Sequence, residues 1–67
     1  MEFQSSAIRA IDYDRSRKRL RITFVSGERY AYERVPGEVH LAFLAAASKG
    51  CFFLAEVRGR YDFTRLA

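Results

Sequence analysis

Tryptophan is absent from this 67-residue chain, and cysteine, proline, methionine and histidine occur once each. A lone cysteine, Cys51, excludes an intramolecular disulfide, so no covalent staple supports the fold. One histidine and no Cys-x-x-Cys pair argue against a structural metal site. No apolar run approaches the roughly 20 residues that cross a bilayer, and the first residues lack a stretch of signal-peptide length. A reduced, cytoplasmic protein with no membrane association and no cofactor is expected. Catalytic patterns are missing as well. There is no glycine-rich phosphate loop, no pair of carboxylates on one helical face, and no nucleophile with a base at a telling spacing. His40 reads as a partly packed surface residue and Cys51, beside Phe52 and Phe53, as a small buried hydrophobe. A non-enzymatic domain without a small-molecule substrate follows.

What the chain does have is apolar mass and arginine. It is 49% hydrophobic, with six Phe and four Tyr. A domain this short buries only about 60% of its unfolded surface, so a dense core must replace the staples common at this size. One domain spanning 1–67 is expected, with no repeat or linker. The net charge is +4, and ten of the twelve basic residues are Arg. Guanidinium pairs with phosphate bidentately and stacks on bases, which fits a nucleic-acid partner. The same charge also serves solubility.

Polar and apolar residues then divide the chain. Residues 7–13 read as a first strand with Ile11 and Tyr13 on one face; Ile8 has the wrong parity, which predicts a bulge near Arg9. After the polar turn 14–18, residues 19–24 alternate, with Leu20, Ile22 and Phe24 inward and Arg19, Arg21 and Thr23 outward. A hairpin turn at 25–28 has Gly27 to supply a positive φ, and a third strand covers 29–33. Pro36 suits the opening of a helix and Glu38 its positive end; Val39, Phe43, Ala46 and Ala47 recur at helical spacing, carrying it to about 47. Ser48 reads as the cap of a second helix over 49–57 that buries Phe53 and Val57; Gly59 ends it. Tyr61 and Phe63 alternate in a short extended tail. The expected architecture is α+β: a three-stranded antiparallel meander packed on one face by two helices, in the order β-β-β-α-α.

Two hairpin registers are open for Tyr30 and Tyr32. A two-residue loop at Ser26-Gly27 sets both on the outer face beside Arg19 and Arg21, like the stacking platforms of RNA-binding sheets. A three-residue loop at 25–27 pairs Phe24 with Glu28 and turns both tyrosines to the core, opposite Ile22 and Leu20. The second agrees with the alternation of Arg29, Ala31 and Glu33, because a slip by one residue buries unpaired charge. It also sets Glu33 and Asp14 opposite Arg19, and Asp12 opposite Arg21, leaving the outer face near neutral.

Positive charge is expected to gather elsewhere. The first turn and the end of the third strand share one end of the sheet, and the second helix returns there. Arg15, Arg17, Lys18, Arg34, Arg58 and Arg60 are the candidate phosphate contacts. At the opposite end, Ser48, Lys49 and Gly50 form a weaker anion-binding candidate at a helix start. Helix one carries more apolar residues than one face buries, so Leu41 and Leu44 are candidates for a partner surface.

The ordered set Ser5-Ser6-Ala7-Ile8, Tyr13-Asp14, Leu20, Ile22, Phe24, Ser26, Gly27, Tyr30-Ala31-Tyr32, Val35-Pro36, Ser48-Lys49-Gly50, Phe53 and Arg60-Tyr61 resembles the KTSC domain. That family is named for the C-terminus of certain lysyl-tRNA synthetases and also occurs as stand-alone small bacterial proteins. The resemblance covers nearly the whole chain and supplies no catalytic motif. Its tie to a tRNA-charging enzyme implies an RNA partner, by association. The chain departs from the family at Asp62, where Pro usually follows Arg-Tyr, and this sets an acid beside Arg60. An RNA-binding module using a basic pole is the expectation. The alternative is a protein-interaction module or homodimer, formed through the edge of the first strand or through Leu41 and Leu44.

Overall fold

The structure, a computed structural model, describes residues 7–66. Its centre is β2 (Arg19–Phe24), whose alternation sends Leu20 and Ile22 fully out of solvent. Against it β1 (Ile8–Asp14) runs antiparallel, with Tyr13 opposite Leu20 and Asp12 opposite Arg21. The register shifts between Ile8 and Ala10, the bulge that the parity of Ile8 requires.

The hairpin to β3 (Arg29–Tyr32) has a three-residue loop. Phe24 N–H donates to the Glu28 carbonyl at 2.9 Å, and Gly27 N–H donates back to the Phe24 carbonyl at 2.9 Å. Gly27 sits at φ 100°, where a Cβ is strained. This sets Tyr30 opposite Ile22 and Tyr32 opposite Leu20, both turned to the core. Ala31 faces the other way yet is buried, since a methyl group is overshadowed by Arg21 and Thr64 on the flanking strands.

The sheet has four strands where three were expected. The segment read as an extended tail is β4 (Phe63–Arg65), antiparallel to β3, and the order is β1-β2-β3-β4. Without it the outer edge of β3 would present unpaired amides and carbonyls. Glu33 N–H instead donates to the Asp62 carbonyl at 2.9 Å, and Leu66 N–H donates to the Arg29 carbonyl at 2.7 Å.

Two helices cover the inner face. Pro36, at φ −63° and ψ 149°, precedes α1 (Gly37–Ala45), and its carbonyl accepts Val39 N–H at 3.0 Å. The helix stops two residues before the expected end, because Ala46 is extended and its carbonyl is taken by Lys49 Nζ at 2.7 Å. Ser48 then caps α2 (Lys49–Phe52), its Oγ accepting Cys51 N–H at 3.2 Å. The helix continues as a π-helical turn, Phe53–Val57, closed by Arg58 N–H donating to the Phe53 carbonyl at 2.8 Å. Gly59, at φ 81°, reverses the chain toward β4. Phe53 and Val57 are buried as their spacing predicts. Cys51 is exposed, contrary to expectation: Gly50, Phe53 and Val57 take the inward positions, Phe52 stacks on Phe43, and Cys51 is left facing solvent.

Leu20, Ile22, Tyr32, Val35, Phe43, Phe53 and Val57 form one core cluster. Each large apolar side chain sealed there contributes about 1.5–3 kcal/mol. Tyr13 ties β1 to the helical layer: its hydroxyl donates to the Val35 carbonyl at 2.6 Å, and its ring stacks on His40 at 4.6 Å.

Candidate functional site: a cationic end and an aromatic groove

The turn between β1 and β2 is organised by Asp14. One of its carboxylate oxygens accepts from Ser16 Oγ at 2.8 Å, Ser16 N–H at 3.1 Å and Arg17 N–H at 3.3 Å. The Ser16 hydroxyl, with help from Arg17, holds the Asp14 carboxyl below its ordinary value against a partial opposing effect of desolvation. Lys18 closes the turn in the left-handed region at φ 54°, and its carbonyl accepts Val35 N–H at 2.8 Å. Arg34, just before Val35, is left-handed as well at φ 55°. One hydrogen bond thus joins the first turn to the exit of β3.

Arg34 in turn reaches Asp62 at 3.1 Å, and both side chains are exposed. The segment leading into β4 therefore lies at the same end. Arg17 approaches Asp14 at 3.6 Å, and Arg60 Nε donates to the Ala55 carbonyl at 3.2 Å. Two acids, Asp14 and Asp62, thus lie among the cations of this end. Exposed ion pairs of this kind hold their cations weakly. Arg15, Arg17, Lys18 and Arg34 are all exposed.

Arg58 has a different setting. Among the described residues no carboxylate pairs with it and no hydrogen bond links it to the first turn. Its side chain borders a groove on the inner face of the sheet. On the outer face, Arg19 Nε meets Glu33 at 3.1 Å and Arg21 meets Asp12, so that surface is charge-paired as its register predicts. Ser48 and Lys49 are both bonded within the helix junction and Gly50 is buried there. Leu41 and Leu44 stand out from α1 at 65% and 49% exposure.

The groove is the feature that residue-by-residue reading missed. It is an open cleft of about 580 Å³ between the π-turn and the sheet, running from Ile8 and Phe24 at the hairpin end across to β4, and is lined among others by Tyr30, Tyr32, Phe53, Leu54, Arg58 and Phe63. The rings form a continuous wall: Phe63 lies 5.5 Å from both Tyr30 and Tyr32, and Phe53 lies 5.7 Å from Tyr32. Phe63 is 56% exposed although it faces this wall. Burial pushes the Tyr32 hydroxyl above its ordinary value, Tyr30 adds to this, and the charge of Arg58 draws it partly back. Tyr13 is the one tyrosine among the described residues whose hydroxyl finds a protein partner. The sequence held a faint signal of the groove, the second aromatic pair Tyr61 and Phe63 after Gly59.

No helix among the described residues is long and apolar enough to cross a membrane. Similarity to known proteins runs through both sequence and fold. Residues 4–61 match the KTSC domain. An uncharacterised protein of Stutzerimonas stutzeri (strain A1501) is 46% identical over 50 residues, covering 75% of this chain and 70% of the relative. The crystal structure of a KTSC domain protein from Yersinia pestis superposes with a TM-score of 0.88 at 36% identity, over 94% of this chain and 89% of that one. The paired tyrosines of β3, the Val35-Pro36 step into α1 and the Ser48 cap all lie within the matched segment, and the chain belongs to the KTSC domain family.

Proposed function

We propose that this chain is a non-enzymatic RNA-binding module that grips phosphates through its cationic end. The observation that supports the proposal is the junction of Lys18 and Arg34. Two long cationic residues are both held left-handed, a conformation costing roughly 1–2 kcal/mol for residues with a Cβ. Backbone outliers of this kind collect at functional sites. Here they anchor a surface that also carries Arg15 and Arg17, with Arg60 on the adjoining segment.

Binding to a structured RNA such as tRNA is measured as a function of salt. Arg17→Glu combined with Lys18→Glu removes two phosphate contacts and flattens the log–log slope by about two counterions. Absence of binding at low salt overturns the proposal. One observation favours a second reading, a protein interface on α1: Leu41 and Leu44 are large, apolar and exposed. A dimer seen by light scattering and lost in Leu41→Glu supports that reading; the edge of β1 offers a second surface for the same test.

A further inference from the structure

We propose that the aromatic groove beside β4 is a nucleotide site, in which a base stacks on the Tyr30, Tyr32 and Phe63 wall and its phosphate meets Arg58. This goes beyond phosphate gripping at the cationic end and does not rest on it.

Four observations converge on that ligand chemistry. The groove is walled by rings, and its volume falls within the roughly 300–1,000 Å³ of small-molecule sites. Phe63 leaves more than half of its surface open next to two rings 5.5 Å away, a geometry that admits a planar heterocycle. Tyr32 is 4% exposed, yet neither its hydroxyl nor that of Tyr30 has a hydrogen-bond partner among the described residues. Tyrosines this well covered ordinarily find one. Among the described residues no side-chain polar atom is sealed from solvent without a partner, so both hydroxyls reach solvent, and both residues line the groove.

Charge completes the match. Arg58 borders the groove with no acid on it among the described residues, while the acid on the groove, Glu28, meets Arg65 at 3.6 Å. The site therefore presents an unneutralised cation beside a ring wall and two polar donors. A purely apolar occupant leaves Arg58 and both hydroxyls unused, and a bare anion leaves the rings unused. A planar heterocycle carrying a phosphate uses all of them. The π-turn contributes directly, since its closing bond is made by the amide of Arg58 itself. Such turns recur at functional sites.

Free nucleotides and single-stranded nucleic acid share this chemistry, and the test separates them. The full-length chain, labelled with 15N, is titrated with AMP, adenosine, ribose 5-phosphate and a short oligoadenylate. The expected result is saturable shifts at Tyr30, Tyr32, Leu54, Arg58 and Phe63 with AMP, and at least tenfold weaker binding of adenosine and ribose 5-phosphate. A tighter fit for the oligoadenylate identifies the strand as the natural source; equal affinity identifies the free nucleotide. Arg58→Glu should erase the advantage of AMP over adenosine. Phe63→Ala should weaken both by about 5- to 150-fold, the range of one base stack. Tyr32→Phe keeps the ring and should cost a few-fold, which guards against a truncation that merely perturbs folding. Arg17→Glu with Lys18→Glu should leave AMP binding unchanged, so that failure at the cationic end and failure in the groove are told apart. Three results overturn the proposal: no saturable shifts with AMP or oligoadenylate at millimolar concentration, shifts confined to the Lys18–Arg34 end, or groove shifts that follow protein concentration alone and so report a second copy seated there.

Discussion

The inner face of the sheet has two halves that use similar residues to opposite ends. Between β2 and α1, Leu20, Ile22, Val35 and Phe43 are sealed at 0% exposure, together with Val57 at the end of the π-turn. Over β3 and β4, Tyr30 is half-covered, Phe63 is open, and a groove separates the sheet from the helix. Both halves are apolar, so hydrophobicity alone does not distinguish them. Coverage does: α1, the Val35 step and Val57 at the end of the π-turn close one half, while the start of the π-turn covers Tyr32 and leaves the rest of the other half open. The closed half carries stability, and the open half leaves aromatic surface in contact with solvent.

Matched truncations test that division most strongly. Phe43→Ala, in the closed half, should destabilise by about 3–5 kcal/mol. In a domain of this size that lowers the melting temperature by tens of degrees or leaves the chain unfolded. At the seam, Gly59→Ala places a Cβ at φ 81° and should cost roughly 1–2 kcal/mol, measured by urea unfolding. Space is not the cause, because nothing lies within 4 Å of the new carbon.

Tyr32 sharpens the comparison through pH. Its folded value lies above the ordinary 10.0, mainly through burial. The folded state therefore keeps its proton where the unfolded chain loses it. The contribution of Tyr32 is whole below 10.0 and is lost as the pH rises through the folded value. Tyr32→Phe should remove that part of the alkaline loss and change neutral stability little, since the hydroxyl has no partner to lose among the described residues. The smallest effect is expected for Phe63→Ala, within about 1 kcal/mol, because more than half of its ring is already in water. A loss as large as that of Phe43→Ala would break the division between the halves.

Strict alternation made β2 readable residue by residue, and Gly27 made the hairpin register readable, because one left-handed position chose between two pairings that differ in the charge they bury. The Ser48 cap was readable for a similar reason, being a side chain with a single local task. β4 was not. Its three residues are all exposed, so no burial pattern marks it, and its strand character comes from the edge of β3 more than from its own side chains. The early end of α1 turns on a lysine reaching back to a carbonyl, which helical periodicity does not encode. Of the six candidate cations, chain direction correctly brought Lys18 and Arg34 to one end, but it did not foresee Asp62 on Arg34 or the groove beside Arg58. That groove depends on where a helix stops covering a sheet, a property of the assembled layers.

The π-turn at Phe53–Val57 has a consequence for how the chain tolerates changes in length. A hydrogen bond from residue 58 to residue 53 spans one residue more than an α-helix requires. Removing Ala55, which is exposed, lets that bond close as an ordinary helical one while Gly59 and β4 keep their places. Inside β2 or β3 a single deletion shifts the strand register and turns inward side chains outward. At the π-turn, as at the bulge of β1, the fold holds a spare residue, a place where a shorter relative would lose one at little cost.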